Sequence, residues 1–93
     1  MIIDHIERQK QWSLETFGEG EKTEIIIDHI KEELQEISED PHNIEEWIDV
    51  IILALDGAWR AGYSATDICL AIAMKQRINE QREWQNYRHI KTP

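Results

Sequence analysis

Residues 23 to 38 read TEIIIDHIKEELQEIS, and this stretch decides the fold. Ile26, Ile27, Ile30, Leu34 and Ile37 recur at helical spacing, which gathers them on one stripe and leaves an acidic opposite side. Short breaks at Gly18 to Gly20, at Asp40-Pro41 and at Gly62 to Ser64 separate this helix from three others. The first spans about residues 3 to 16 and carries Ile3, Ile6, Gln9, Lys10, Trp12 and Leu14, a poor apolar pattern. The third opens with Asp40 as N-cap and Pro41 at the first helical position, where its missing N–H is not needed, and runs to about Ala61. The fourth begins at Ser64, with Asp67 as capping-box partner, and its stripe of Ile68, Leu70, Ala71, Ile72 and Met74 gives way to a polar tail after Trp84. No strand is required, and there are no repeats or linkers. The expected fold is all-α, a four-helix bundle-like single domain over residues 1–93.

The third helix is apolar almost all round between Trp47 and Ala58, the pattern of a helix with neighbours on several sides. A chain of 93 residues buries only roughly 60 to 65 per cent of the surface that its unfolded form exposes. Some of those neighbours are therefore expected from another subunit.

Acidic residues outnumber basic ones by 19 to 10, a net charge of −9, which argues against gripping nucleic acid or an anionic membrane by bulk electrostatics. A cation is the better partner. The charge is uneven: residues 1–56 hold 16 acids and 4 bases, and residues 57–93 hold 3 acids and 6 bases. The longest apolar run, Val50 to Leu55, is far short of the roughly 20 residues that span a bilayer, and the amino terminus lacks a basic region followed by an apolar core. A non-exported, cytoplasmic protein is expected. The lone Cys69 has no disulfide partner, and in DICLAIA it reads as a small apolar residue rather than a nucleophile with an adjacent base.

Glu32, Glu33 and Glu36 fall within about one helical turn, and Glu46 and Asp49 follow on the next helix at the same three-residue spacing. Asp56 lies a heptad after Asp49, on the same side. Two antiparallel helices would then face carboxylates at one another. Asp49 interrupts the apolar run WIDVIILAL, where a charge is expected to be partly desolvated and to need compensation. Several hard oxygen ligands suit Mg²⁺ or Mn²⁺ rather than zinc. The plain alternative is a solvated acidic helix face. Lys75, Asn79 and Arg82 place two cations and an amide on one stripe of the fourth helix, fit either to hold phosphates or to complement the helix dipole. His29, four residues before Glu33, is expected to be structural rather than a ligand, and the Gly-x-Gly of FGEG a turn. Trp12, Phe17, Trp47, Trp59 and Trp84 are expected in core or interface, with one of them available to stack on a base.

Glu32-Glu33-Leu34-Gln35-Glu36 and Glu46-Trp47-Ile48-Asp49 resemble the EExxE and ExxD motifs of the MazG-like all-α nucleotide pyrophosphohydrolases. RQKQWSLETFGEGEKT, DHIKEELQEI, EEWIDVIILALDGAWRAGYS and KQRINEQREW, within residues 8–84, look like the dATP/dGTP diphosphohydrolase branch found in bacteria and phages. The resemblance implies cleavage of a nucleoside triphosphate between the α- and β-phosphates to a monophosphate and pyrophosphate. It further implies Glu33, Glu36, Glu46 and Asp49 as ligands of Mg²⁺ or Mn²⁺, Glu32 with Glu33 as catalytic carboxylates, and Lys75, Asn79 and Arg82 on the phosphates. Trp12, Phe17, Lys22 and Asp56 are candidate nucleotide contacts, and a homo-oligomer, dimer or tetramer, is expected. The chain departs from the branch's usual FGPG and Arg-Thr at Glu19 and Lys22, and from its late Trp-Pro at Gln85. Lys22 lacks the planar two-point contact of an arginine, which bears on base or sugar selectivity. The competing function is a non-catalytic acidic helical module that mimics nucleic acid.

Overall fold

The structure, a computed structural model, describes residues 2–82; Trp84 and Gln85 lie outside them. Four helices follow one another, α1 (Ile2–Phe17), α2 (Thr23–Glu39), α3 (Ile44–Arg60) and α4 (Ala65–Gln81), and no strand occurs among the described residues. The all-α expectation holds.

α3 is the axis of the assembly. It packs against each of the other three helices, whereas α2 touches only α3 and stands apart from α1 and α4. The main core gathers at the carboxy-terminal half of α3, where Leu55 and Trp59 meet Ile6 of α1 and Ala65 and Ile68 of α4, with Ala58 and Cys69 packed against them. Ile26 and Ile37 bury the α2 side of the bundle.

The inner face of α1 explains its poor apolar pattern. Ile6, Gln9 and Ser13 are its buried residues, and the two polar ones satisfy themselves across the α1–α3 contact: Gln9 Nε2 donates to the Ile52 carbonyl at 2.9 Å, and Ser13 Oγ to Asp56 Oδ2 at 2.8 Å.

The start of α3 differs from expectation. Asp40 closes α2, its N–H reaching the Glu36 and Ile37 carbonyls, and Pro41 lies in the turn that follows. The cap of α3 is Asn43, whose side chain accepts from the Glu45 N–H at 3.0 Å, while Trp47 Nε1 donates to the Pro41 carbonyl and fastens the turn to the helix. The close of α2 takes up Asp40, and α3 starts three residues later than expected. The Ser64–Asp67 capping box of α4 is present in both directions, at 3.1 and 3.0 Å.

The apolar stripes are only half used. In α4, Ile68 is buried but Leu70, Ile72 and Met74 are exposed; in α3, Trp47, Ile48 and Ile51 are exposed; in α2, Ile27 and Leu34 are. Of the aromatic residues expected in core or interface, Trp59 is core, while Trp12 and Phe17 lie exposed against each other edge to face.

Candidate functional site

The four-residue link between α2 and α3 makes them an antiparallel hairpin, so positions stepping back along α2 face positions stepping forward along α3. Glu36 then meets Glu46, Glu33 meets Asp49, and near the far end Ile26 comes against Gly57, where a Cβ would stand 3.7 Å from Ile26 Cγ2. One oxygen from each of Glu33, Glu36, Glu46 and Asp49 lies within 4.8 Å of the others. The structure therefore brings together the four carboxylates expected to act as ligands. Glu32, exposed, stays outside the quartet.

Two features test whether this quartet fits a cation. Glu33 Oε2 and Glu46 Oε2 are buried without a hydrogen-bond partner, which is costly for a carboxylate unless a cation or proton takes that place. Both groups also bind protons more tightly than an ordinary glutamate. For each the largest cause is the hydrogen bond that its protonated form would share with Glu36, followed by burial and by the negative charges of Glu36 and Asp49; His29 works in the opposite direction on Glu33. Four hard oxygen donors, two of them orphaned and mutually repelled, fit Mg²⁺ or Mn²⁺. Asp49 corrects the sequence expectation: it is exposed, because Ile48 and Ile51 beside it are themselves uncovered, and the desolvated members are Glu33 and Glu46. His29 is not in the quartet but holds Glu33 Oε1 through Nε2 at 3.1 Å, which orients that carboxylate.

From Glu33 and Asp49 a cleft of about 540 Å³ runs between α2 and α3 to the α1–α2 loop, lined there by Trp12, Phe17, Lys22 and Asp56. Its size is that of a small-molecule site. All four residues singled out as nucleotide contacts thus share one cleft with two of the carboxylates. Asp56 already accepts from Ser13 Oγ and from Arg60 Nε. Arg60 and Ser13 were not singled out from sequence, although Asp56 and Arg60 stand one helical turn apart. Lys75 and Asn79 lie elsewhere: they line a separate groove with Ala58, Tyr63, Ile68 and Met74, and Arg82 caps the end of α4. Within this chain the stripe does not reach the quartet.

The all-α hairpin, its clustered carboxylates and the adjoining cleft agree with the class that the EExxE and ExxD motifs resemble, the helical nucleotide pyrophosphohydrolases. The chain belongs to the dATP/dGTP pyrophosphohydrolase family, whose profile it matches over residues 5–92. It is 40% identical over 75 residues to a protein of Salmonella phage PMBT28 described as a dATP/dGTP diphosphohydrolase, a match that takes in 80% of this chain. The chain spans about a quarter of that relative's length, 24%. No solved structure matches it.

Proposed function

We propose that this chain hydrolyses a purine nucleoside triphosphate, dATP or dGTP, between the α- and β-phosphates, releasing the monophosphate and pyrophosphate. The observation that carries this is the quartet of Glu33, Glu36, Glu46 and Asp49 at one end of a cleft whose other end is aromatic. Membership of the family supports the choice of substrate.

Glu33, Glu36, Glu46 and Asp49 would hold Mg²⁺, or Mn²⁺ in its place. When bound, the cation neutralises phosphate oxygens and stabilises charge developing at the reacting phosphorus. Glu32, outside the quartet and exposed, orients the attacking water and takes its proton, with Glu33 beside it as the second catalytic carboxylate. Trp12 and Phe17 offer aromatic faces to the base, and Lys22 and Asp56 complete the nucleoside end. Lys75, Asn79 and Arg82 hold the phosphate tail. Because Lys75 and Asn79 line a separate groove in their own protomer, they act on the site of a second copy. The exposed Leu70, Ile72 and Met74 on the same helix support a homo-oligomer, dimer or tetramer.

In this reading residues 1–93 are one catalytic domain, acting on the nucleotide pool of a bacterial or phage-infected cytoplasm. No helix of the described residues is long and apolar enough to cross a membrane. A nucleic-acid mimic needs charges spread along its surface, whereas Glu33 and Glu46 turn oxygens inward.

The test is phosphorus NMR of a panel of NTPs and dNTPs with the protein and Mg²⁺, with Glu36→Gln as control. Pyrophosphate and a monophosphate from the wild type alone establish the reaction and rank the substrates. No turnover, or orthophosphate release that survives Glu36→Gln, overturns it in favour of the acidic binding module.

A further inference from the structure

Arg60, the last residue of α3, carries a guanidinium whose side chain is only 2% exposed. Guanidinium has five N–H donors, and here each has a protein acceptor. Nε donates to Asp56 Oδ1; one terminal nitrogen donates to the Gly18 carbonyl at 2.8 Å and the Gly20 carbonyl at 3.1 Å; the other reaches Ser13 Oγ at 3.0 Å and the Ser13 carbonyl at 3.5 Å. No donor remains for a substrate.

The acceptors are informative. Gly18 and Gly20 both have positive φ, 87° and 98°, a conformation that side chains disfavour, and the loop so formed delivers two carbonyls to the same nitrogen. This accounts for the Gly-x-Gly in FGEG. The loop needs such an anchor, because α1 and α2, which it joins, do not pack on each other. Two residues that line the cleft stand at the loop's ends, Phe17, the last residue of α1, and Lys22, the last before α2.

We propose that Arg60 is a positioning residue: by clamping the 18–22 loop to α3 it sets where Phe17 and Lys22 stand, and through them how tightly the cleft holds its nucleotide. Asp56 and Ser13 complete the clamp. This rests on the cleft being the nucleotide site.

Arg60→Lys is the test, since lysine keeps the charge opposite Asp56 but presents its donors from a single nitrogen that cannot span these acceptors. With helical content unchanged by circular dichroism, KM for the preferred nucleotide rises on the order of tenfold while kcat falls much less. The Mg²⁺-induced rise in melting temperature, which reads the quartet, stays as in the wild type. Cleavage by a glutamate-specific protease at Glu19 and Glu21 accelerates. Ser13→Ala, which removes one acceptor, gives a smaller change in the same direction and serves if Arg60→Lys does not fold.

Unchanged KM in both variants overturns the proposal, whether or not the loop is cut faster, and so does an equal fall of kcat and of the Mg²⁺ response. A wild type that turns over no nucleotide sinks the functional reading and with it the KM arm. The protease arm then still decides whether Arg60 holds the loop.

Discussion

Ser13 donates its hydroxyl to Asp56 at 2.8 Å, joining α1 to α3 across 43 residues of chain. Asp56 is also the only carboxylate partner of the buried Arg60 among the described ion pairs, so the hydroxyl supports a charged pair. Ser13→Ala leaves Asp56 Oδ2 without its donor and is expected to destabilise the fold by about 1 to 2 kcal/mol. At about 4 to 8 °C per kcal/mol for a chain of this size, a thermal melt resolves the loss easily. An unchanged melting temperature would remove this contact from the account of the α1–α3 interface.

Glu36 is the hinge of the carboxylate quartet, since it is the neighbour that most raises the proton affinity of both Glu33 and Glu46. Mg²⁺ at a hundred times its dissociation constant is expected to stabilise the wild type by about 2.7 kcal/mol. Glu36→Gln should abolish most of that response, yet melt no lower than the wild type in chelator, because it removes a repelling charge. A Glu36→Gln protein that keeps the full Mg²⁺ response would place the cation elsewhere.

Proton binding gives a prediction of definite sign. Glu33 and Glu46 are raised above the ordinary glutamate value of 4.5 in the folded protein. Their contribution to stability is fully present below 4.5 and is lost as pH rises through the raised folded values. The chelated protein should therefore become more stable on mild acidification from neutrality, while the Mg²⁺ effect shrinks as protons compete for the same oxygens. Asp67 acts in the opposite sense. Its hydrogen bonds with Ser64 hold it below 3.8, so its contribution is present above 3.8 and lost below, outside the first window. Melting temperature against pH, with and without Mg²⁺, measures both; a chelated protein that loses stability steadily from neutrality to pH 4.5 contradicts the raised pair.

Gly57 lies inside α3, and a methyl group there would meet Ile26 at 3.7 Å, an ordinary van der Waals contact. Gly57→Ala is expected to stabilise the protein by roughly 0.5 to 1 kcal/mol through helix propensity. Denaturant unfolding checks it; a clear loss of stability would mean that α2 and α3 pack more closely than this contact indicates.

What was legible in the sequence was what depends on near neighbours along the chain. The stripe of α2, the Ser64–Asp67 box and the spacing of the acidic pairs each declare themselves within a few residues, because helical periodicity and capping are local. Asp40 shows the limit even there. The expected cap, Asp40, instead closes α2, and the turn that follows, which takes the Trp47 indole, moves the cap of α3 to Asn43. In α1 the pattern failed for another reason: Gln9 and Ser13 are buried because acceptors on α3 wait for them, which no hydropathy pattern records.

The sequence by itself determined an all-α chain with four helices and acidic residues spaced in pairs on two successive helices. Only the tertiary structure decided which of those acids lose their water. Burial is a property of the antiparallel register, and that register turned oxygens of Glu33 and Glu46 inward while leaving Asp49, in the more apolar sequence, exposed. The same dependence on packing made Arg60 the clamp of the glycine loop, since its five acceptors come from segments as far as 47 residues away.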